Sequence, residues 1–401
     1  MKLIISTFER DLTKSLKSDT MGPTMEKEMR RKKALVFVSL LCWVMAGSGI
    51  SAGPDLKTLV KDVFSIPAVT GNEELLAAKI RDILPESLAI ETDNLGSVYA
   101  RAGEGDMGIA VLAALDEFGW FVSSVTADGY LRLDRAVAPP HSLFDSFLMG
   151  HAVVISTKSG LQNGVIAQPA MHLLTRERRE ELLKSFPLDL VYLDIGAHSE
   201  EEVKARGVEY LDPVTFRPDL ARLASDQWAG PSLGQKAVCA ALTAAAAEAG
   251  GAKTRAPAQF VWMAQTRFPA RARDGRSALG AARAQNRLQP KTVLLLDVLA
   301  TDKGEKSPVL GKGPVLWQAK DAPSKLREAI EAAARETGIT LQHQTGGESL
   351  LMAPFMVEGN DAVALALPVK FSQTPSEVIS MGDVQALADL VVSVIKKGDW
   401  Q

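Results

Sequence analysis

The sequence predicts an α/β fold, a mainly parallel sheet flanked by helices, interrupted by a small β-rich domain. Three observations carry that reading. Helical and strand patterns alternate along the second half of the chain, which implies a parallel sheet covered on both faces. Between about residues 124 and 222 the alternation stops, and short strands follow one another between glycine-containing turns. Helices and strands of the first kind also precede that stretch. The expected α/β domain is therefore discontinuous, 54–123 and 223–398, with an insert at 124–222.

In chain order, "DLKTLVKDVFSIPAVTGNEELLAAKIRDIL" has the apolar spacing of two amphipathic helices, broken at Pro67 and Gly71, with Asn72 as the expected N-cap of the second. "NLGSVYARAG" and "MGIAVLAALDEFGWFVSSV" follow as strands. In the insert, "DGYLRL", "HAVVISTKSG" and "LQNGVIAQPA" read as short strands. "TRERREELLKSF" and "SEEEVKARG" read there as short charged helices with solvated faces. After it the pattern predicts helix 233–249, strand 258–265, helix 276–288, strand 292–298, helix 323–337, strand 362–367 and helix 382–396. The alanine run "ALTAAAAEAGG" is good helix material.

A chain of 401 residues has room for two domains with sizeable cores. Its 46% hydrophobic and 23% charged residues are ordinary for a soluble globular protein. The net charge of -3 gives no reason to expect a nucleic-acid partner. Near the N-terminus, "MEKEMRRKK" is basic, "ALVFVSLLCWVMAG" apolar and "SGISAG" small and polar. That order reads as a signal peptide at 25–52, cleaved after Ala52, which implies a periplasmic or secreted protein. Residues 1–24 then read as a non-native or disordered extension, with Met25 as the true start. The alternative is an uncleaved membrane anchor, since 34–53 carries no charge and is long enough to span a bilayer. The mature chain would keep one cysteine, Cys239, which in its alanine-rich helix reads as buried filler.

The chemical question lies in "IAVLAALDEFGWFVSSV", where Asp116-Glu117 interrupt an apolar run. Ionised carboxylates in such a place need a metal, a cationic side chain or solvent. Together with "SIPAVTGNEE", "DNLGSVYAR", "MHLLTRERREE", "DIGAHSEEEVKARGVEYLDPVTF", "GKGPVLWQAKDAPSKLRE" and "QTPSEVISMGDV", this stretch resembles the glutamyl and tetrahedral aminopeptidases. These are cocatalytic two-zinc exopeptidases, some once named endoglucanases. The resemblance runs from about Leu56 to Ile395, and its "DIGA…DPVTF" and "GKGP" stretches are the most specific. It implies a zinc-exopeptidase-like α/β domain, an inserted dimerisation domain and a homo-oligomer, a dimer or higher, with peptides as the other partners.

At the positions that carry the family's chemistry the sequence departs from the pattern. Where the family has His-Met-Asp-Glu this chain reads Leu115-Asp116-Glu117, so the ligand histidine is missing and the resemblance implies a deletion of one residue. Pro231 and Ser232 replace the Asp-Asp pair that supplies the bridging ligand. Thr266 and Arg267 replace the Glu-Glu pair that supplies the catalytic base and a ligand. Gln373 replaces the last histidine, and "GGESLLM" replaces the "GGGTDAG" loop. Among the ligands only Asp297 is retained.

A cocatalytic pair needs several carboxylate or imidazole ligands and a bridging carboxylate. One aspartate cannot hold even a single Zn²⁺, and Arg267 would set a fixed positive charge beside it. With Thr266 in the base position nothing activates water. The expectation is thus a pseudo-peptidase with no bound zinc, no catalytic residue, and a vestigial site of Asp116, Glu117, Arg267 and Asp297. Arg267 is expected to replace the lost metal charge by pairing with Asp297 and with Asp116; the plainer alternative is a solvated basic loop, "RFPARARDGR". Leu115, Pro231 and Leu350 suggest partial filling of the pocket by apolar atoms. The alternative function is an active metallo-aminopeptidase with unusual ligands. The histidines offer no replacement set: His141, His151, His172, His198 and His343 lack the spacing of a zinc site. The G-x-S-x-G spacing occurs at "GISAG" (49–53) and "GPSLG" (230–234), and that spacing alone does not make a serine hydrolase.

Overall fold

The computed structural model describes residues 55–400, apart from 168–169, 185–187, 252–255, 273–274, 302–303, 305–306, 319–322 and 348. The expectations for 1–24, for the signal peptide at 25–52 and for its alternative as an anchor fall outside the described residues.

Two helices open the described chain. In α1 (Leu56–Phe64) the residues Leu56, Leu59, Val60 and Val63 recur every third or fourth position and are buried along one stripe. Asp55 caps it, accepting from the Thr58 N–H at 3.1 Å. α2 (Glu74–Ile83) follows the break at Gly71. Asn72 is not its N-cap, as the spacing suggested; Glu73 holds that place without a side-chain cap bond. The Glu73 carboxylate instead turns away from its helix, accepting from Gly71 N at 2.9 Å and Gln265 N at 2.8 Å.

Next come β1 (Ala89–Thr92), β2 (Val98–Ala102) and β3 (Ile109–Ala114). Every residue of β3 is buried, as a central strand covered on both faces requires. The chain then leaves this sheet. Strands β4 (Trp120–Val125), β5 (Leu131–Arg135), β6 (Ala152–Thr157), β7 (Gly160–Ala167), β8 (Tyr192–Asp194) and β9 (Pro213–Phe216) close into a barrel in the order β4-β5-β8-β7-β6-β9. Two short helices, α3 (Arg176–Lys184) and α4 (Glu200–Ala205), lie in its connections. The β-rich insert therefore begins at Trp120 rather than at 124. Both β3 and β4 bury apolar residues, so the run from Ile109 to Val125 looks continuous in sequence although it passes from sheet to barrel at Gly119.

After the barrel come β10 (Ala221–Arg222), β11 (Gln227–Gly230), the long α5 (Leu233–Gly251), β12 (Ala258–Met263), β13 (Pro269–Ala272), β14 (Gly275–Ala278) and α6 (Leu279–Leu288). Then follow β15 (Thr292–Ala300), β16 (Val315–Gln318), α7 (Lys325–Thr337), β17 (Gln342–Thr345), β18 (Asp361–Val369), β19 (Glu377–Ser380) and α8 (Met381–Lys397). The stretch "RFPARARDGR" is a hairpin arm rather than a loop, because β13 and β14 pair from Pro269↔Ala278 to Ala272↔Gly275. That pairing also delays the helix expected from 276 until Leu279.

The large sheet has the order β1-β2-β12-β3-β15-β18-β16-β17. Its centre, β12-β3-β15-β18, is parallel, while β1, β2 and β16 pair antiparallel to their inner neighbours. One face is covered by α1, α5, α7 and α8, whose apolar residues form the main core with Trp262, Leu294 and Leu365. A smaller core on Leu112, Val261 and Leu295 is closed by Ala281 and Ala284 of α6 and by Phe355. The "GKGP" stretch also acquires a structural reason. Gly311 and Gly313 each donate a backbone N–H, at 2.7 Å, to the Asp383 carboxylate at the start of α8. A Cβ on Gly313 would meet the Thr340 carbonyl oxygen at 1.9 Å, so no other residue fits there.

Candidate functional site

Parallel strands leave their ligand crevice at their carboxyl ends, where neighbours diverge. Here β15 pairs with β3 only from Val293 to Leu295, opposite Ala110 to Leu112. β3 itself runs on against β12 as far as Ala114. Beyond Leu295 the two strands part, and a cleft of about 50 Å³ opens. The carbonyl of Ala114, at the end of β3, is taken by the Gln235 amide of α5 at 2.9 Å. A larger hollow of about 640 Å³ beside Trp317 and Gly346 has no titratable side chain on its described walls. The chemistry-bearing residues surround the smaller cleft.

Asp116 and Glu117 follow β3 directly. Asp116 is fully buried and accepts three hydrogen bonds: Thr70 Oγ1 at 2.8 Å, Thr266 Oγ1 at 2.5 Å and the Arg267 backbone N–H at 2.9 Å. Glu117 accepts from Ala68 N at 2.8 Å and lies 3.3 Å from the ammonium of Lys236, which is itself 2% exposed. Lys236 also donates to the Ile66 carbonyl at 2.6 Å. Asp297, on β15 past the point of divergence, accepts from Ser349 Oγ at 2.6 Å and Val298 N at 2.8 Å. Burial pushes its carboxyl above the usual range, against those two bonds and the field of Arg267. Glu377 accepts from Gly234 N at 2.9 Å and Gln373 N at 2.8 Å, and burial raises its carboxyl too.

Arg267 does not do what the sequence suggested. Its guanidinium forms no ion pair with Asp297 or Asp116; only its backbone N–H reaches Asp116. The guanidinium carbon lies 4.6 Å from the Phe118 ring centre, and Nε is buried without an acceptor. The reason is local: Asp116 and Asp297 already accept from nearer hydroxyls and backbone N–H groups, and the aromatic face takes the cation instead. The Leu115 reading also changes. Along the strand, Ala114 and Asp116 share one face and Leu115 the other, where it packs into the main core. Ala114 thus stands where a histidine of the His-Met-Asp-Glu order would, and no deletion is needed. Leu350 is 61% exposed and fills nothing; Pro231 does line the cleft, beside Ser232 and Gln373.

The loops around the cleft hold unusual backbone. Ser232, Gln265 and Gln373 have φ of 53°, 55° and 63°, a region non-glycine residues seldom adopt. Such strain persists where surrounding structure fixes it, and it gathers at functional sites. Sequence reasoning did not select Glu73, Lys236, Ser349 or Glu377. A lysine inside an otherwise apolar helix was the one signal available, and it pointed to Glu117.

These residues do not fit a pair of zinc ions. Each of the five carboxylates here already accepts from protein donors, Pro231 offers no ligand atom, and the Thr266 hydroxyl is spent on Asp116. Among the described residues no group of three or more His, Cys, Asp or Glu could hold a metal ion. No histidine lines the described part of the cleft. His141 packs edge-on against Phe144 and Phe147, and His151 bonds the Met149 carbonyl at 3.2 Å.

The comparisons with known proteins converge. Residues 96–390 match the family model of the M42 glutamyl aminopeptidases. The lysyl aminopeptidase of Pyrococcus furiosus is 27% identical over 353 residues, covering 84% of this chain and 96% of that protein. The Pyrococcus horikoshii TET1 peptidase, which can assemble into a tetrahedron or a large octahedral shell, shares the fold with a TM-score of 0.72 at 23% identity, covering 85% of this chain and 99% of the other. Aminopeptidase APDkam598 from Desulfurococcus kamchatkensis gives a TM-score of 0.72 at 22% identity, covering 86% and 95%. The alternation of helices and strands, the inserted barrel and the cleft at the parting of β3 and β15 thus have a common source: the chain belongs to the M42 glutamyl aminopeptidase family.

Proposed function

We propose that this chain keeps the aminopeptidase fold as a non-hydrolytic, peptide-binding member that assembles with copies of itself. One observation supports the loss of hydrolysis above others: the Arg267 guanidinium lies over Phe118, its charge acts on Asp297 and Glu377, and those two carboxylates already accept from a hydroxyl and backbone N–H groups. A dication entering there would displace those bonds and face a fixed positive charge. Self-assembly draws support from the TET1 relative and from apolar side chains left exposed on the barrel, among them Leu161, Val165, Tyr210 and Leu211. Export through the apolar N-terminal segment is part of the same proposal, on the order of its residues alone.

Family membership favours a second reading, an active aminopeptidase with unusual ligands. One experiment separates them: metal analysis of the purified protein beside a panel of aminoacyl p-nitroanilides. The proposal expects neither stoichiometric zinc nor turnover above the uncatalysed rate. Zinc at one or two equivalents, with turnover abolished by a chelator, would establish the second reading instead.

A further inference from the structure

Resting on that reading and deepening it, we propose that the cleft binds a carboxylate, gripped by the Arg267 guanidinium against the ring of Phe118. Among the described residues the cation has no counter-ion of its own. None of its nitrogens meets an acceptor among them, and Nε is shut away from solvent as well. A buried donor left unbonded in a native fold asks for a partner. A planar guanidinium prefers the two oxygens of a carboxylate.

No carboxylate of the described residues forms an ion pair with this guanidinium, and those nearby already have donors. Asp116 has three donors, Glu117 has Lys236, Asp297 has Ser349 and Val298, and Glu377 has two backbone N–H groups.

The arginine is held ready from its base. Gln265 N is fixed on Glu73, the Gln265 amide on the Leu95 carbonyl at 3.1 Å, and both Thr266 and Arg267 N on Asp116. Little order remains to be lost on binding. The cleft's 50 Å³ is room for a carboxylate head and not for a whole side chain. Its walls then select the group attached to that head. Phe118, Phe144 and Phe216 are apolar, with Phe118 and Phe144 centred 5.6 Å apart, while Ser232, Gln373 and Thr374 offer polar groups. A carboxylate next to an apolar or aromatic group fits this lining, as at the free carboxyl end of a peptide.

The test is calorimetric titration of the full chain with N-acetylphenylalanine, its neutral amide, and N-acetylglutamate α-amide, which carries its carboxylate on the side chain. The proposal expects the acids to bind and the amide to bind at least about tenfold more weakly. Preference between the two acids tells a chain-terminal carboxylate from a side-chain one, and binding of either supports the proposal. Arg267→Gln should abolish the preference for acid over amide. Arg267→Lys, which keeps the charge without the fork, should retain the preference with lower affinity. Equal binding of acid and amide, no binding up to about 10 mM, or an acid preference that survives Arg267→Gln in a folded variant would each overturn it. Zinc content and turnover are measured on the same sample. Zinc-dependent hydrolysis beside Arg267-dependent acid binding would sink the non-hydrolytic reading and leave this one standing.

Discussion

Glu73 is 3% exposed, and burial, followed by the charge of Asp116, pushes its carboxyl up to about 7 from an ordinary 4.5. The folded chain therefore holds a proton that the unfolded chain has lost between those values. Stability from protonated Glu73 is fully present below 4.5 and falls away as the pH rises through about 7. Glu73→Gln cannot ionise, and its Oε1 still accepts from Gly71 and Gln265. The variant should exceed the parent by on the order of 3 kcal/mol above about pH 8, with the gap closing near pH 4. Urea unfolding across that range measures it, and parallel curves would mean that the carboxyl is not perturbed. Asp116 behaves oppositely, because all three of its bonds need an acceptor. Asp116→Asn turns an amide toward one donor and should cost about 2 to 3 kcal/mol. At this scale the sequence was partly legible. The resemblance to the aminopeptidases grouped Asp116, Glu117, Arg267 and Asp297, and in the structure Arg267 N bonds Asp116 while the Arg267 charge acts on Asp297. It did not reveal their bonds, since Ser349, Thr70 and Lys236 come from segments that no spacing links to Asp116 or Asp297. Pairing Arg267 with carboxylates that already had nearer donors was the resulting error.

Strands and helices were easier to read than side-chain partners, because burial of whole faces sets their period. α5, β15, α7 and α8 lie within a few residues of their expected places, each with a long run of one pattern behind it. The misreadings fall where a turn carries no pattern. Asn72 has the chemistry of a cap, but the chain uses Glu73 there to tie α2 to the end of β12. Gly119 is the sharper case, because it lets a strand of the sheet become a strand of the barrel within one apolar run. A Cβ at Gly119 would lie 2.6 Å from Val69 Cγ2 and 2.7 Å from the Val214 carbonyl oxygen. The backbone can be squeezed on neither side, since Glu117 bonds back to Ala68 and Thr70 while β9 pairs with β4. Gly119→Ala should therefore cost about 1 to 3 kcal/mol, read as a lower midpoint in denaturant. An alanine variant of unchanged stability would show that this junction can open without loss.

Across the whole molecule the question is whether the fold needs anything beyond its own atoms at the cleft. A ligand that binds only the native state raises stability by about 4 kcal/mol at a thousand times its dissociation constant, and its removal takes that away. Here the buried carboxylates are reached from within the protein by Thr70, Thr266, Ser349, Lys236 and backbone N–H groups. Leaving such groups unpaired would cost several kcal/mol, so the internal donors do the work that an ion would otherwise have to do. The melting temperature should then stay within about 1 °C after exhaustive dialysis against EDTA, and equally after addition of excess Zn²⁺. Calorimetry on the assembled protein gives the answer directly. A rise of several degrees that saturates at one or two equivalents of zinc would require the carboxylates to leave their present donors for the metal, and Arg267 to move off Phe118. That outcome would show a cleft with two arrangements, in which the bonds seen here close the site between turnovers.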